Sequence, residues 1–202
     1  WDDGNIPWLQ SGCCQNCDVI DTEKYITQSG YDNSSTKMMS PDTVMIALTG
    51  ATAGKVGYLK FDACGNQSIT GILPCESLDQ RYLFYYLMFQ RSKILSDCIG
   101  GAQPHISQGY VKDFIVPVLP INEQQKISRK LCVIDELIEI RNQQILKLDE
   151  LVKSRFIEMF GDPVHNSKDL PELTLPELGE FGRGVSKHRP RNDPQLLGGK
   201  YP

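Results

Sequence analysis

No stretch of this 202-residue chain is apolar for the roughly 18 residues that a membrane-spanning helix needs. It also lacks a basic-then-apolar leader, and it does not open with Met. Trp1 has the look of a cut end, so the chain is expected to be a fragment or a processed product with a cytoplasmic setting. Neither sign of charge dominates: 21 Lys+Arg stand against 25 Asp+Glu, a formal net of −4. That excludes a simple polycation but leaves nucleic acid open, because the distribution of charge matters more than its sum. Paired metal ligands are missing too. None of His105, His165 and His188 has ligand spacing to a second His, and Cys14-x2-Cys17 is not followed by another CxxC. A zinc half-site completed by Cys64 or Cys75 stays open, but plain reduced thiols are the simpler reading of seven cysteines in a chain without a leader. What remains is ordinary globular composition, 40% hydrophobic and 23% charged, and enough length for one or two domains with a real core.

Three zones divide the chain. Residues 1–117 carry 8 basic and 12 acidic residues, with most of the glycines and aromatics. Thr43–Leu48, Lys55–Lys60 and Ser68–Leu73 read as short strands bounded by turn residues. The period then changes: Leu83, Tyr86, Leu87, Gln90 and Ile94 fall at helical spacing behind a cap around Asp79, and Gly100-Gly101 should end that helix. The apolar run Val111–Leu119, broken by Pro117, should close the zone as a strand.

Residues 118–162 are nearly free of Gly and Pro except at their edges. Positions 127, 131, 134, 138, 141, 145, 148, 152, 155 and 159 repeat at intervals of four and three. Ile127, Leu131, Ile134, Ile138, Ile145, Leu148, Val152 and Met159 are apolar; Arg141 and Arg155 are the polar members. This is a heptad stripe, expected to span roughly 50 Å as one helix. Pro120 precedes it and Gly161-Asp162-Pro163 stops it. A helix this long outruns a small domain, so its stripe should be covered by a second helix, from a longer chain or from another copy. Arg141 and Arg155 are placed to fix register by pairing with acids such as Glu139 or Glu158. The alternative is one amphipathic helix lying along its own domain.

Residues 163–202 are rich in Pro and Gly. Arg183, Lys187, Arg189, Arg191 and Lys200, with His188, face Asp193 alone, a local net of +4. Such a basic loop suits phosphate contact; the competing reading is a solvated tail. Thr49-Gly-Ala-Thr-Ala-Gly-Lys55 invites comparison with a nucleotide phosphate loop. The glycines are one residue too close, however, and Val56 stands where Ser or Thr should hold magnesium, so nucleotide hydrolysis is set aside. Thr49, Thr52 and Lys55 still offer donors to DNA phosphates, or simply mark a tight turn. Gln103-Pro-His-Ile-Ser107 could bring Gln103 and His105 to base edges, since Gln suits adenine, or could be a structural turn. No segment for adenine methylation and no Gly-rich cofactor fingerprint is present, so neither cofactor nor metal is expected.

Taken together, several segments resemble the DNA specificity subunits of Type I restriction–modification systems. They are Gly4–Gly12, Tyr25–Gly30, Thr49–Gly57, Asn66–Ser68, Gln103–Ser107, Pro117–Ile127 and Phe156–Pro163. Each alone is weak, but their order and spacing cover nearly the whole chain. Gly182–Arg191 also looks like the opening of a target recognition domain. Gly199-Lys-Tyr-Pro202 echoes Gly4-Asn-Ile-Pro7 at an offset of 195 residues. One departure is Cys13, where many members have an acid after Ser-Gly.

The resemblance implies an α+β chain. Residues 1–117 would be a β-rich target recognition domain, truncated at its N-terminus; 118–162 would be a long coiled-coil spacer helix, and 163–202 the start of a second recognition domain. It further implies a non-catalytic subunit that reads a bipartite site on double-stranded DNA and docks methyltransferase and restriction subunits. Self-association through the spacer helix, as an antiparallel two-fold pair, is a further expectation. The competing function is a non-DNA coiled-coil protein interaction module.

Overall fold

The computed structural model describes residues 3–97 and 105–182. The chain divides into two compact units, residues 1–142 and 143–202. In the first, chain order runs β1 (Ile6–Leu9), β2 (Cys17–Val19), β3 (Tyr25–Ile26), α1 (Gln28–Asp32), β4 (Met38–Met39), β5 (Val44–Ala47), β6 (Val56–Leu59), β7 (Ala63–Gly65) and β8 (Ile69–Ile72). Helices α2 (Gln80–Phe89), α3 (Arg91–Ser96) and α4 (Gln108–Asp113) follow, then α5 (Ile121–Phe160), which continues into the second unit; α6 (Leu175–Leu178) is the last element described. Among the described residues, no helix is long and apolar enough to cross a membrane.

Two four-stranded sheets form, ordered β3-β1-β7-β4 and β2-β6-β5-β8. Strand β5 shows why they stack. All four of its residues are buried, so its alternation separates two apolar faces rather than an apolar face from a wet one. Val44 and Ile46 join Val56 and Tyr58 against Leu83, Phe84 and Leu87 of α2. Met45 and Ala47 point the other way, into a second core with Leu9, Met39, Leu59 and Ala63. The β5 sheet is thus a middle layer, with α2 on one face and the β1 sheet on the other. Pairing is antiparallel for β5–β6 and β5–β8, but parallel for β1–β7 and β2–β6.

Helix α2 begins where Asp79 caps it, its carboxylate accepting from the Tyr82 N–H. The single helix expected to reach Leu95 is interrupted at Gln90, and α3 carries Ile94 back into the core. Helix α3 ends at Ser96; Gly100 and Gly101, the expected stop, lie outside the described residues. The closing strand expected over Val111–Leu119 is not formed. Ser107 caps a short helix instead, accepting from Tyr110 N–H, and α4 runs through Val111 to Asp113. Phe114 and Val116 then pack on the α2 core without strand pairing. The expected apolar residues are there, but a cap outweighed their strand propensity. The strand-like runs around β5, β6 and β8 are found as read.

The 40-residue α5 docks by its N-terminal third. Gln124 and Ser128 are buried, and Leu131 and Cys132 pack against the α2 core. Leu131 belongs to the heptad stripe, but at about 100° per residue Gln124, Ser128 and Cys132 face on average roughly a quarter turn away from it. Ile127 and Leu131 at its start are half-buried, but beyond them the stripe is left in solvent: Ile134, Ile138, Ile145, Leu148, Val152 and Met159 are 50–69% exposed. Arg155 pairs with Glu158 of its own helix at 2.7 Å.

In the second unit, Gly161 ends α5 in the left-handed region (φ +82), and its N–H returns to Ile157 O at 2.7 Å. Lys168 Nζ donates to the last carbonyls, Glu158 O and Met159 O, where a cation complements the helix dipole. The Asp162 carboxylate is held below the usual range by its hydrogen bond with His165. A Thr174–Glu177 capping box opens α6.

Candidate nucleic-acid interface

The turn between β5 and β6 has the tight geometry that its glycines suggest. Gly50 (φ +77) and Gly54 (φ +72) both take the left-handed backbone, and Ala53 N–H closes onto Gly50 O at 3.0 Å. Lys55 is drawn away from the turn: its Nζ donates to Gln15 Oε1 at 2.7 Å. Thr52 is half-buried within the turn. Thr49 has a different neighbour. It forms an isolated antiparallel bridge with His105, and Ile106 N–H donates to Leu48 O at 2.8 Å. Two segments more than fifty residues apart are thereby joined at the end of β5. Gln103 lies outside the described residues, as do Arg183, Lys187, His188, Arg189 and Arg191.

Beside that bridge lies a groove of about 830 Å³. Its floor is apolar, made by Trp8, Met39, Leu48, Ile69 and Ile106. Its rim is polar: Lys37, Gln67, His105 and Gln108 are all exposed, and no acidic residue lines it among the described residues. Two loops present these groups, and both are pinned. Asn66 Oδ1 accepts from Ser68 N–H at 3.0 Å while Asn66 N–H donates to Leu9 O at 3.0 Å, which holds Gln67 at the tip. Thr36 Oγ1 donates to Gly65 O at 2.7 Å, anchoring the segment that carries Lys37. Thr70 also lines the groove, but its hydroxyl oxygen is buried beneath the surface, without a hydrogen-bond partner among the described residues.

Among the described residues, the arrangement has donors and acceptors on fixed loops, one ammonium group and no carboxylate. Gln and Asn amides can bond base edges in pairs, and Lys can reach phosphate or guanine. Of the residues singled out from sequence, His105 lines the groove and Thr49 adjoins it; Thr52 and Lys55 are not among its lining residues. Sequence reasoning missed Lys37, Gln67, Thr70 and Gln108. Gln67 was within reach, since Asn66-Gln-Ser68 had already been noted as a segment. Among the described residues, no group of three or more His, Cys, Asp or Glu could hold a metal ion. The cysteines there are free thiols. Hydrogen bonding from Cys14 lowers the Cys13 thiol pKa, and the same contact together with burial raises that of Cys14.

Residues 1–150 match the family described as the Type I restriction modification DNA specificity domain. The chain belongs to that family. It is 30% identical over 142 residues to the EcoR124I/EcoR124II specificity subunit of Escherichia coli, covering 68% of this chain and 35% of the relative. It is 27% identical over 164 residues to the MjaIX specificity subunit of Methanocaldococcus jannaschii, covering 79% and 38%. The chain thus spans little more than a third of the length of these curated relatives. Its fold is similar to that of a chain in a structure describing assembly and conformational transition of the type I R-M system, with TM-score 0.61 at 18% identity over 76% of this chain and 36% of that one. It is also similar to the HsdS subunit from Thermoanaerobacter tengcongensis, with TM-score 0.55 at 16% identity over 71% of this chain and 33% of that one. The α+β architecture, sheets followed by a long helix, is that of specificity subunits.

Proposed function

We propose that this chain reads one half of a split target on double-stranded DNA, as part of a specificity subunit that performs no chemistry itself. In this reading, residues 1–117 are the target recognition domain, 118–162 the spacer helix, and 163–202 the beginning of the next recognition domain. The partners are methyltransferase subunits and, in the larger assembly, restriction subunits. The reading carries a cytoplasmic location with it. The observation that supports the proposal is the groove rimmed by Lys37, Gln67, His105 and Gln108, with no acid among the described residues that line it. Thr49, beside His105, contacts the backbone near the groove. Thr52 and Lys55 approach phosphates from the neighbouring turn, while Gln103, Arg183, Lys187, His188, Arg189 and Arg191 add base or phosphate contacts. The stripe of α5 pairs with a second long helix, or with its own copy when the chain stands alone.

A second reading, a non-DNA coiled-coil interaction module, finds support in the net charge of −8 over residues 1–182. Duplex binding by the methyltransferase complex, measured against salt, separates the two. Several phosphate contacts give a steep linear fall of log affinity with log salt, about 0.9 per contact. A flat response would favour the interaction module.

A further inference from the structure

Cys13, Cys14 and Cys17 lie close together in the chain, and none of them enters the DNA reading. Cys14 is fully buried in the core between the two sheets, Cys13 is partly buried against that core, and Cys17 is exposed on the edge strand β2. All are free thiols. A glycine makes room for them. Cys17 is in register with Gly57 of β6, and a Cβ on Gly57 would stand 3.5 Å from Cys14 Sγ. Val19, two residues along β2 from Cys17, points into the same core, so the Cys17 side chain faces that way too. Cys14 and Cys17 thus meet Gly57 from one side of the sheet. Between them the chain bends at Gln15 and Asn16, and Asn16 takes the left-handed backbone (φ 62). A four-residue turn brings its end Cα atoms within about 7 Å, and a disulfide spans Cα atoms about 4.4–6.8 Å apart.

The protons are placed for such a bond as well. The Cys14 thiol donates to the Cys13 sulfur. That contact holds the Cys13 thiol below its ordinary pKa, while the same contact and burial hold Cys14 well above its own. Cys14 alone would be a poor nucleophile, but its proton already points at a base. The bend is also tied to the turn after β5. Asn16 N–H donates to Val56 O at 2.7 Å, Val56 N–H donates to Asn16 Oδ1 at 3.0 Å, and Gln15 Oε1 accepts from Lys55 Nζ at 2.7 Å. Moving Gln15 and Asn16 therefore moves the segment that carries Thr52 and Lys55.

We infer that Cys13, Cys14 and Cys17 form an oxidation site that takes a hydroperoxide as co-reactant, closes a Cys14–Cys17 disulfide and lowers duplex affinity through the tied turn. The exposed Cys17 thiolate attacks one peroxide oxygen; the O–O bond breaks, leaving a sulfenic acid and, with the proton that Cys17 gave up, water. The Cys14 sulfur then attacks the Cys17 sulfur as Cys13 takes the Cys14 proton. The S–O bond breaks, and the departing hydroxide collects that proton as a second water. Two thiols and one peroxide become one disulfide and two waters, with two electrons passing to the peroxide. The effect on duplex affinity rests on the DNA-reading function proposed above; the disulfide does not.

The test treats the intact complex with hydrogen peroxide, alkylates the remaining free thiols and maps the peptides by mass. The segment holding these cysteines should lose two hydrogens, fragmentation should place the bridge between Cys14 and Cys17, and dithiothreitol should reverse it. Cys14→Ser and Cys17→Ser should each abolish the bridge, and Cys13→Ser should slow its formation several-fold. If the buried Cys14→Ser does not fold, the exposed Cys17→Ser decides. Duplex affinity of the wild type should fall several-fold on oxidation and recover with dithiothreitol, and that of Cys17→Ser should not respond to peroxide. Cys17 passing to sulfinic acid without bridging, or a bridge to any other cysteine, would overturn the site. Bridging at an undiminished rate in Cys13→Ser would overturn the part given to Cys13. A bridge with unchanged duplex affinity would overturn the link through the turn. Absence of duplex binding before and after a bridge that does form would overturn the DNA reading and leave the oxidation site standing.

Discussion

Placing charge on the α5 stripe should separate copies of this chain without unfolding it. Six apolar stripe residues from Ile134 to Met159 are 50–69% exposed, so about half of each side chain is still available for burial. Full burial of such a side chain is worth about 1.5–3 kcal/mol, so covering the exposed half contributes about 1 kcal/mol. An antiparallel pair covers twelve such residues, about 12 kcal/mol gross, against an association cost of about 4–15 kcal/mol. The pair is therefore marginal, and the loss of a few contacts should dissolve it. Ile138 and Ile145 flank the midpoint of a stripe running from 127 to 159, where a two-fold pair is driest. Ile138→Glu with Ile145→Glu changes four positions in the pair and forfeits about 4 kcal/mol of burial, roughly a thousandfold in dissociation constant. Desolvating four carboxylates adds to that loss. Sedimentation velocity of the 202-residue chain over a concentration series reads the outcome, with circular dichroism checking that the helix persists. A dimer indifferent to both glutamates would refute the reasoning, as would a wild-type chain that stays monomeric with its long helix intact.

Three further outcomes concern the recognition unit. Gln124→Ala strips the half-buried Asp79 N–H of its acceptor and removes a fully buried amide, a loss of about 2 kcal/mol. Calorimetry should show Tm lower by about 4–8 °C. Arg81 forks onto Asp18 with both contacts at 2.6 Å, and its guanidinium lies 3.7 Å from the Tyr58 ring centroid. Arg81→Lys keeps the charge but loses the fork and the stack, so denaturant titration should show about 1–2 kcal/mol less stability rather than a neutral change. Burial first, then the hydrogen bond to Asp135, raises the Tyr85 phenol above its ordinary value; burial and the Asp42 charge do the same for Tyr58. A raised folded value means that the folded state keeps its proton longer, so the stabilisation is intact below about pH 10 and is lost as pH rises further. Alkaline titration of phenolate absorbance should show a late component that shrinks in Tyr85→Phe.

Much of this was readable in the residues. The heptad stripe needs only one helix and a count of intervals, so α5 was found nearly to the residue. The runs forming β5, β6 and β8 were found because strands buried on both faces are continuously apolar. The edge strands β3 and β4 are two residues each and carry no period to detect. Val111–Leu119 misled because apolar content does not distinguish a strand from a short capped helix followed by packed coil, and Ser107 decided for the latter. At the site, His105 and Thr49 were each singled out, but their bridge joins distant segments and follows only from sheet topology. Lys37 and Gln108 gave no sign of themselves, because a groove rim is assembled from loops that the sequence does not place side by side. Nothing in the sequence singles out Gln124 for burial; the packing of α5 against α2 buries it.

The most direct measurement of the central claim is selection of bound duplexes from a randomised library by the intact complex, repeated with Gln67→Ala and with Lys37→Ala. Gln67 sits at a pinned tip on the groove rim with a base-pairing amide, and Lys37 supplies that rim's ammonium group. The account predicts that the wild type enriches one split sequence. Gln67→Ala should relax preference at one or two positions of a single half-site by about 1–3 kcal/mol per base pair and leave the other half-site unchanged. Lys37→Ala should weaken binding to all sequences alike. Enrichment of the same sequence with the same stringency by the wild type and Gln67→Ala would contradict the groove as the reading surface.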